Sequence, residues 1–211
     1  MRTFEQFVRD SSMAGSFNLP FERGMYSLTD ELEKILNVLR EAAVPFEVVG
    51  GVAVNAHLLP GHRHRSFVTR DIDLLVRRSD LDRIVRAAES AGYDARKIVG
   101  GHMLRLPHQE AQEAVHLLFA GERSKSTQPT AHPDLDPQAV EFFGLSVPVA
   151  PLRDLVRMKL NSFRAKDLVH LQILDEAGLI SGEIDSELSA VLQERLAEAR
   201  HRLAEEQPDQ E

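Results

Sequence analysis

Residues 68–76, VTRDIDLLV, hold two carboxylates inside a stretch that otherwise has the composition of a buried strand. Side chains alternate across a strand, so Asp71 and Asp73 share one face while Ile72 and Leu74 share the other. The two carboxylates then stand ~7 Å apart, close enough to raise each other's pKa unless a cation offsets the repulsion. Hard divalent cations such as Mg²⁺ take oxygen ligands of this kind. An Asp-x-Asp on an edge strand facing water satisfies the same pattern, so the surrounding sequence has to decide.

Upstream, FEVVGG reads as a short buried strand ending in Gly50 and Gly51, and VAVNAHLL reads as a helix that begins at those glycines. Small residues between a strand and a helix let backbone N–H groups, at the positive end of the helix dipole, approach a phosphate. A tight turn with positive φ would also select glycine. Strand, Gly-Gly, helix, then strand with Asp-x-Asp is a much narrower pattern than either half alone.

Elsewhere LTDELEKILNVLREA is helical in period, with Leu32, Ile35, Leu36 and Leu39 on one face and Ser27 or Thr29 as cap. Residues 1–26 read as an arm around a short first helix. PGHRHRSF reads as a basic loop, and SDLDRIVRAAESAG as a second amphipathic helix capped by Ser79 and ended by Gly92. Three short strands follow, YDARKIV, HMLRLPH and EAVHLLFAG, then a polar loop over 121–138, either a flap or disordered. VEFFGLSVPVA is a strand or hairpin. From Pro151 the pattern is helical: LRDLVRMKLNSFRAKDLVHLQILDEAG as one helix, then SELSAVLQERLAEARHRLAEE. The fold class is α+β, with a mixed α/β body over 1–150 and a helical C-terminal region over 151–211.

The net charge of −8 weighs against nucleic-acid binding only superficially. Residues 176–211 carry ten acidic residues and three arginines, so the acidity belongs to the tail and the remaining chain is nearly neutral. Absence of cysteine excludes disulfides and thiolate chemistry. The N-terminal MRTFEQFVRD lacks the apolar run of a signal peptide and no segment approaches a membrane span, so a cytoplasmic protein without membrane contact is expected.

The combination VVGGVAVNAH…TRDIDLLV resembles the nucleotidyltransferase superfamily with the polymerase-beta-type fold, and within it the small bacterial AbiEii-like enzymes. PLRDLVRMKLNSFRAKDLVHLQIL resembles the same group's helical motif, so the likeness spans roughly residues 30–180. It implies a nucleotidyltransferase-like mixed sheet flanked by helices. It also implies transfer of a nucleoside monophosphate from an NTP such as ATP to an acceptor hydroxyl on RNA, protein or a small molecule. Asp71 and Asp73 would hold Mg²⁺ or Mn²⁺, and Gly50 and Gly51 would cradle the phosphates. Lys159 and Lys166, seven apart on a continuous helix, would share a face and contact phosphate together with Arg164. Asp167 would orient one of these cations or the metal shell. The group's toxin–antitoxin members make a partner protein from such a pair an expectation.

Two positions depart from the pattern. Where the family carries a third carboxylate, this chain has His116, and where a further Asp recurs it has His170. His116 could act as a general base, as a ligand favouring Mn²⁺, or mark a decayed site. His57 is assigned to helix packing, and His62 and His64, with Arg63 and Arg65, to the basic loop. The competing functional class is a degenerate transferase fold that binds a nucleotide or a protein without turnover. A third class is a structural partner docking through residues 184–206.

Overall fold

The computed structural model describes residues 19–107, 109 and 113–206; of the arm expected over 1–26, residues 1–18 lie outside the described residues and 19–26 belong instead to the first long helix. Helix α1 (Leu19–Glu41) leads into β1 (Phe46–Val49), α2 (Gly50–His62), β2 (Ile72–Val76), α3 (Leu81–Ser90), β3 (Asp94–Ile98), β4 (Gly101–Arg105) and β5 (Val115–Phe119). The hairpin β6 (Gln138–Phe142) and β7 (Leu145–Val149) follows, then α4 (Leu152–Ser162), α5 (Ala165–Glu176), α6 (Gly182–Glu187) and α7 (Ala190–Glu206). The strands form one mixed sheet in the order β3-β4-β5-β2-β1-β7-β6, the α+β architecture the motifs imply. β1 runs antiparallel to β2 and parallel to β7, while β2 and β5 are parallel.

Hydrophobic period places most of these elements. Met25, Leu28, Leu32, Ile35, Leu36 and Leu39 of α1 all lie in the main core, on the 3–4 spacing of one helix face. α2 is buried on nearly every side, with Gly51, Val52, Ala53, Val54, Asn55, Ala56 and Leu58 all inside. Its buried Asn55 closes a two-way hydrogen bond with the backbone of Phe67, which pins the segment entering β2. The β6–β7 turn uses Phe143 and Gly144, both at positive φ, as a two-residue hairpin requires.

Several boundaries differ from the sequence reading. α1 begins at least as early as Leu19, so neither Ser27 nor Thr29 caps it. Thr29 instead donates to the Tyr26 carbonyl from within the helix. α2 runs through Pro60 to His62 and ends in a 3₁₀ turn over Arg63–Arg65 where a loop was expected. Ser79 lies in the 3₁₀ turn Arg78–Asp80, and Asp80 is the N-cap of α3. β2 begins at Ile72, so Asp71 immediately precedes the strand.

The expected continuous helix from Leu152 is two helices. Phe163 takes a left-handed conformation (φ 48°) and Arg164 becomes the cap of α5. The last helix is likewise interrupted at Leu188 and Ser189. Leu188, Leu192 and Leu196 join the same core as the body, so this acidic segment covers its own sheet and helices. Among the described residues no helix is long and apolar enough to cross a membrane.

One buried charge in the sheet sets a pH dependence. Glu47 of β1 is fully buried. Its Oε2 accepts from the Asp136 N–H at 3.0 Å while Oε1 has no partner among the described residues. Burial pushes its carboxyl up to about 7, against the pull of that N–H. The folded chain therefore holds this proton more tightly than the unfolded one, and stability falls as pH rises from about 4.5 through about 7. Glu47→Gln should match wild type near pH 4 and exceed it by roughly 1–3 kcal/mol at pH 8 in urea denaturation. An equal difference at both pH values would contradict this origin.

Candidate functional site

Three neighbouring strands bring the site residues into one row. Val49 of β1 pairs with Asp73 of β2, and Asp73 pairs with His116 of β5. Residues paired across a sheet point to the same face, so the last residue before Gly50, the second carboxylate and the imidazole line up across about two strand spacings. Asp71 joins them from just before β2. Asp71, Asp73 and His116 each offer a ligand atom, and these atoms all lie within 4.8 Å of one another. They open into a cleft of ≈ 410 Å³ that Gly50, Lys159, Arg164, Lys166 and Asp167 also line.

The glycine pair is explained by closeness. Gly50 has φ +68°, and a Cβ there would come within 2.0 Å of Asp73 Oδ2. At Gly51 a Cβ would meet Thr69 Oγ1 at 2.7 Å. Gly51 is buried behind the turn and does not line the cleft, so only Gly50 of the pair faces it. The start of α2 thus sits directly against the acidic strand.

The charges are compensated in two tiers. Asp71 accepts from Thr69 Oγ1 at 2.9 Å and from Lys166 Nζ at 3.1 Å. Burial works to raise its carboxyl, but the Lys166 charge and the Thr69 hydroxyl outweigh it and hold the group below its usual range. His116 Nδ1 lies 3.4 Å from Asp73 Oδ1. That carboxylate raises the imidazole above its ordinary value, against the opposing effect of burial.

Deeper in, Asp167 is fully buried and accepts from Lys159 Nζ (3.1 Å), Ser162 Oγ (2.6 Å), the Arg164 N–H (3.2 Å) and Arg164 Nε (2.8 Å). Burial opposes ionisation there. The Arg164 guanidinium, with Lys159 and Ser162, overcomes it and holds the carboxyl well below the carboxylate range.

The kink at Phe163 therefore separates the two lysines expected on one helix face. Lys159 is buried on Asp167, while Lys166 is exposed and reaches Asp71. Ser162 completes the network and was not singled out in the sequence. His57 is a packing residue as expected, its Nε2 2.9 Å from the Ala150 carbonyl. His170 stacks on Phe67 with centroids 4.6 Å apart and does not line the cleft. Burial, reinforced by the Lys159 charge, lowers it to about 4. In the basic loop, Arg65 pairs with Glu176.

The model of a family described as uncharacterised nucleotidyltransferase matches residues 21–160. The chain belongs to this nucleotidyltransferase family. No curated protein matches it in sequence. Among solved structures, the solution structure of the antibiotic-resistance factor ANT(2'')-Ia superposes with a TM-score of 0.57 at 15% identity, over 85% of this chain and 94% of that one. The crystal structure of ANT(2'')-Ia with adenylyl-2''-tobramycin gives 0.47 at 17% identity, over 84% and 99%. A tRNA nucleotidyltransferase with a primer tRNA and an incoming ATP analog gives 0.35 at 18% identity, over 82% and 52%. The first likeness supports a nucleotidyltransferase fold.

The donor set of this nucleotidyltransferase-family chain fits a divalent cation. Two carboxylates and an imidazole converge on one point, and the missing side chain at Gly50 leaves room for the Asp73 carboxylate. The sequence did not single out Ser124, Thr127, Gln128 and His132 of the loop after β5 or Arg195 of α7, which also line the cleft. That loop is fastened rather than loose. Asn161 of α4 exchanges two hydrogen bonds with Thr130, and Arg195 holds the Leu160 and Asn161 carbonyls at the end of α4. Polar residues in a long loop carry no periodic signal, so nothing in the sequence marks them.

Asp167→Asn leaves the buried Lys159 ammonium without its counter-charge, an arrangement that costs about 3–5 kcal/mol. Urea denaturation at pH 7 should register a loss of that order. A loss under about 1 kcal/mol, the range of a surface pair, would show that the network does not support the fold.

Proposed function

We propose that this chain moves a nucleoside monophosphate from an NTP to an acceptor hydroxyl, assisted by a divalent cation held by Asp71, Asp73 and His116. The observation that carries the reading is the convergence of these three side chains, in a cleft beside the start of a helix, within reach of Lys166 and Arg164. When bound, such a cation supplies charge neutralisation at the triphosphate and holds the reacting groups in line.

The protein's own groups divide the remaining work. Lys166, exposed and tied to Asp71 by a single contact, is free to turn its ammonium toward an incoming phosphate once another cation satisfies that carboxylate. Arg164 keeps part of its guanidinium facing the cleft while Asp167 fixes its Nε. Lys159, held on Asp167, adds positive charge beneath the floor. α2 begins at Gly50, which lines the same cleft, so the positive end of the helix lies beside that space. His116 in the third position suits an imidazole-tolerant ion such as Mn²⁺ better than Mg²⁺. The AbiEii-like resemblance adds a toxin–antitoxin setting, with RNA, a protein or a small molecule as acceptor.

Labelled NTPs incubated with the protein, total RNA and Mn²⁺ or Mg²⁺ should yield labelled acceptor and pyrophosphate, and Asp73→Asn should lower the rate by at least about 100-fold. Induced expression of wild type, but not of Asp73→Asn, should arrest growth if the toxin setting holds. Saturable, metal-dependent NTP binding with neither label transfer nor pyrophosphate release would replace the transferase reading with that of a nucleotide-binding module.

A further inference from the structure

The loop between β5 and β6 carries a serine–imidazole pair that the reading above does not use. Ser124 Oγ and His132 Nε2 lie 2.7 Å apart, and both residues line the cleft that holds Asp71 and Asp73. The pair is held firmly. Buried Gln128 accepts from the Ser124 N–H at 2.7 Å and the Lys125 N–H at 3.2 Å. The Gly121 N–H donates to the His132 carbonyl, and the His132 N–H donates to the Glu122 carbonyl. On the other side Ser124 presses on the β3–β4 turn, where a Cβ at Gly100 would come within 2.9 Å of Ser124 Cβ.

The chemistry of the pair is that of a hydroxyl beside a base. His132 is 6% exposed, and burial lowers its imidazole against the opposing pull of the Glu122 charge, which favours the neutral ring. Its Nδ1 is buried without a hydrogen-bond partner among the described residues; in the tautomer that carries the proton there, Nε2 is the acceptor for the Ser124 proton. The cleft's volume lies in the range of small-ligand sites, so a nucleotide lying over Asp71 and Asp73 shares one space with Ser124. Lys125, beside it in the same wall, adds a cation on that side.

We propose that Ser124 is itself a nucleotide acceptor, so that the chain labels its own cleft wall. Ser124 Oγ forms a bond to the α-phosphorus of an NTP, the bond from that phosphorus to the bridging oxygen breaks, and pyrophosphate leaves with the electron pair. The Ser124 proton passes to His132 Nε2. The product is a phosphodiester on Ser124 that fills the cleft and slows further turnover. This inference rests on the transfer chemistry proposed above.

The test incubates the full chain with each of the four NTPs and Mn²⁺ or Mg²⁺, follows pyrophosphate release, and maps adducts by intact-mass and peptide mass spectrometry. The expected result is a mass gain of one nucleotidyl group (a nucleoside monophosphate less one water) at Ser124, absent in Ser124→Ala and in Asp73→Asn. In His132→Asn the adduct should form at least about 100-fold more slowly. The mapped position on wild-type chain decides the matter even if His132→Asn fails to fold. Pyrophosphate release without an adduct at Ser124, or with the adduct elsewhere, overturns this inference and leaves the transfer reading standing. Absence of pyrophosphate release with every NTP, with and without a cell extract that supplies RNA, protein and small-molecule acceptors, overturns both.

Discussion

The carboxylate of Asp73 lies against the backbone of Gly50 so closely that no β-carbon fits between them. Much of the site follows from that contact. It requires glycine at the turn, sets the start of α2 beside the acidic strand, and fixes the antiparallel register in which Val49 faces Asp73. Because β5 pairs with β2 in parallel, the same register puts His116 beside Asp73. A donor cluster is thereby assembled from segments far apart in sequence by ordinary sheet pairing, with the backbone of a helix start at its edge.

A cluster of this kind carries electrostatic strain, and the helices after the sheet relieve it. Lys166 comes from a helix 95 residues beyond Asp71 and pairs with it. It can do so because α4 and α5 meet at a bend rather than continuing straight. The bend is held by Asp167, whose two oxygens collect Lys159, Ser162 and Arg164. Removing one member of such a buried pair strands the other charge, so the network holds the bend and with it the angle at which Lys166 and Arg164 meet the cleft. The acidic C-terminal helix contributes through Arg195, which holds the last carbonyls of α4.

How much of this the sequence could reveal depends on the range of the forces involved. The Gly-Gly turn and the paired aspartates were legible because strand alternation and helix start are local rules, whereas His116 entered through the family resemblance and its pairing with Asp73 is a long-range contact. The start of α1 before Ser27 was not legible, because a serine within a helix and a serine at its cap look alike until the preceding turn is seen to be buried at Met25. The break at Phe163 escaped because it contains neither glycine nor proline. It is stabilised by Asp167 reaching back to the Arg164 N–H, a contact between side chain and backbone that periodicity does not record. The wall formed by Ser124, Gln128 and His132 depends on a polar loop folding onto Gly100 and Asn161, distant partners that only the tertiary structure supplies.

The account turns on Asp71, Asp73 and His116 acting together on one cation, and calorimetric titration of the protein with Mn²⁺ and with Mg²⁺, without nucleotide, measures that directly. The account predicts a single saturable site that binds Mn²⁺ more tightly than Mg²⁺, loses its Mn²⁺ preference in His116→Asp, and is abolished in Asp73→Asn. A titration in which neither ion binds, or in which both substitutions leave the binding unchanged, would contradict it.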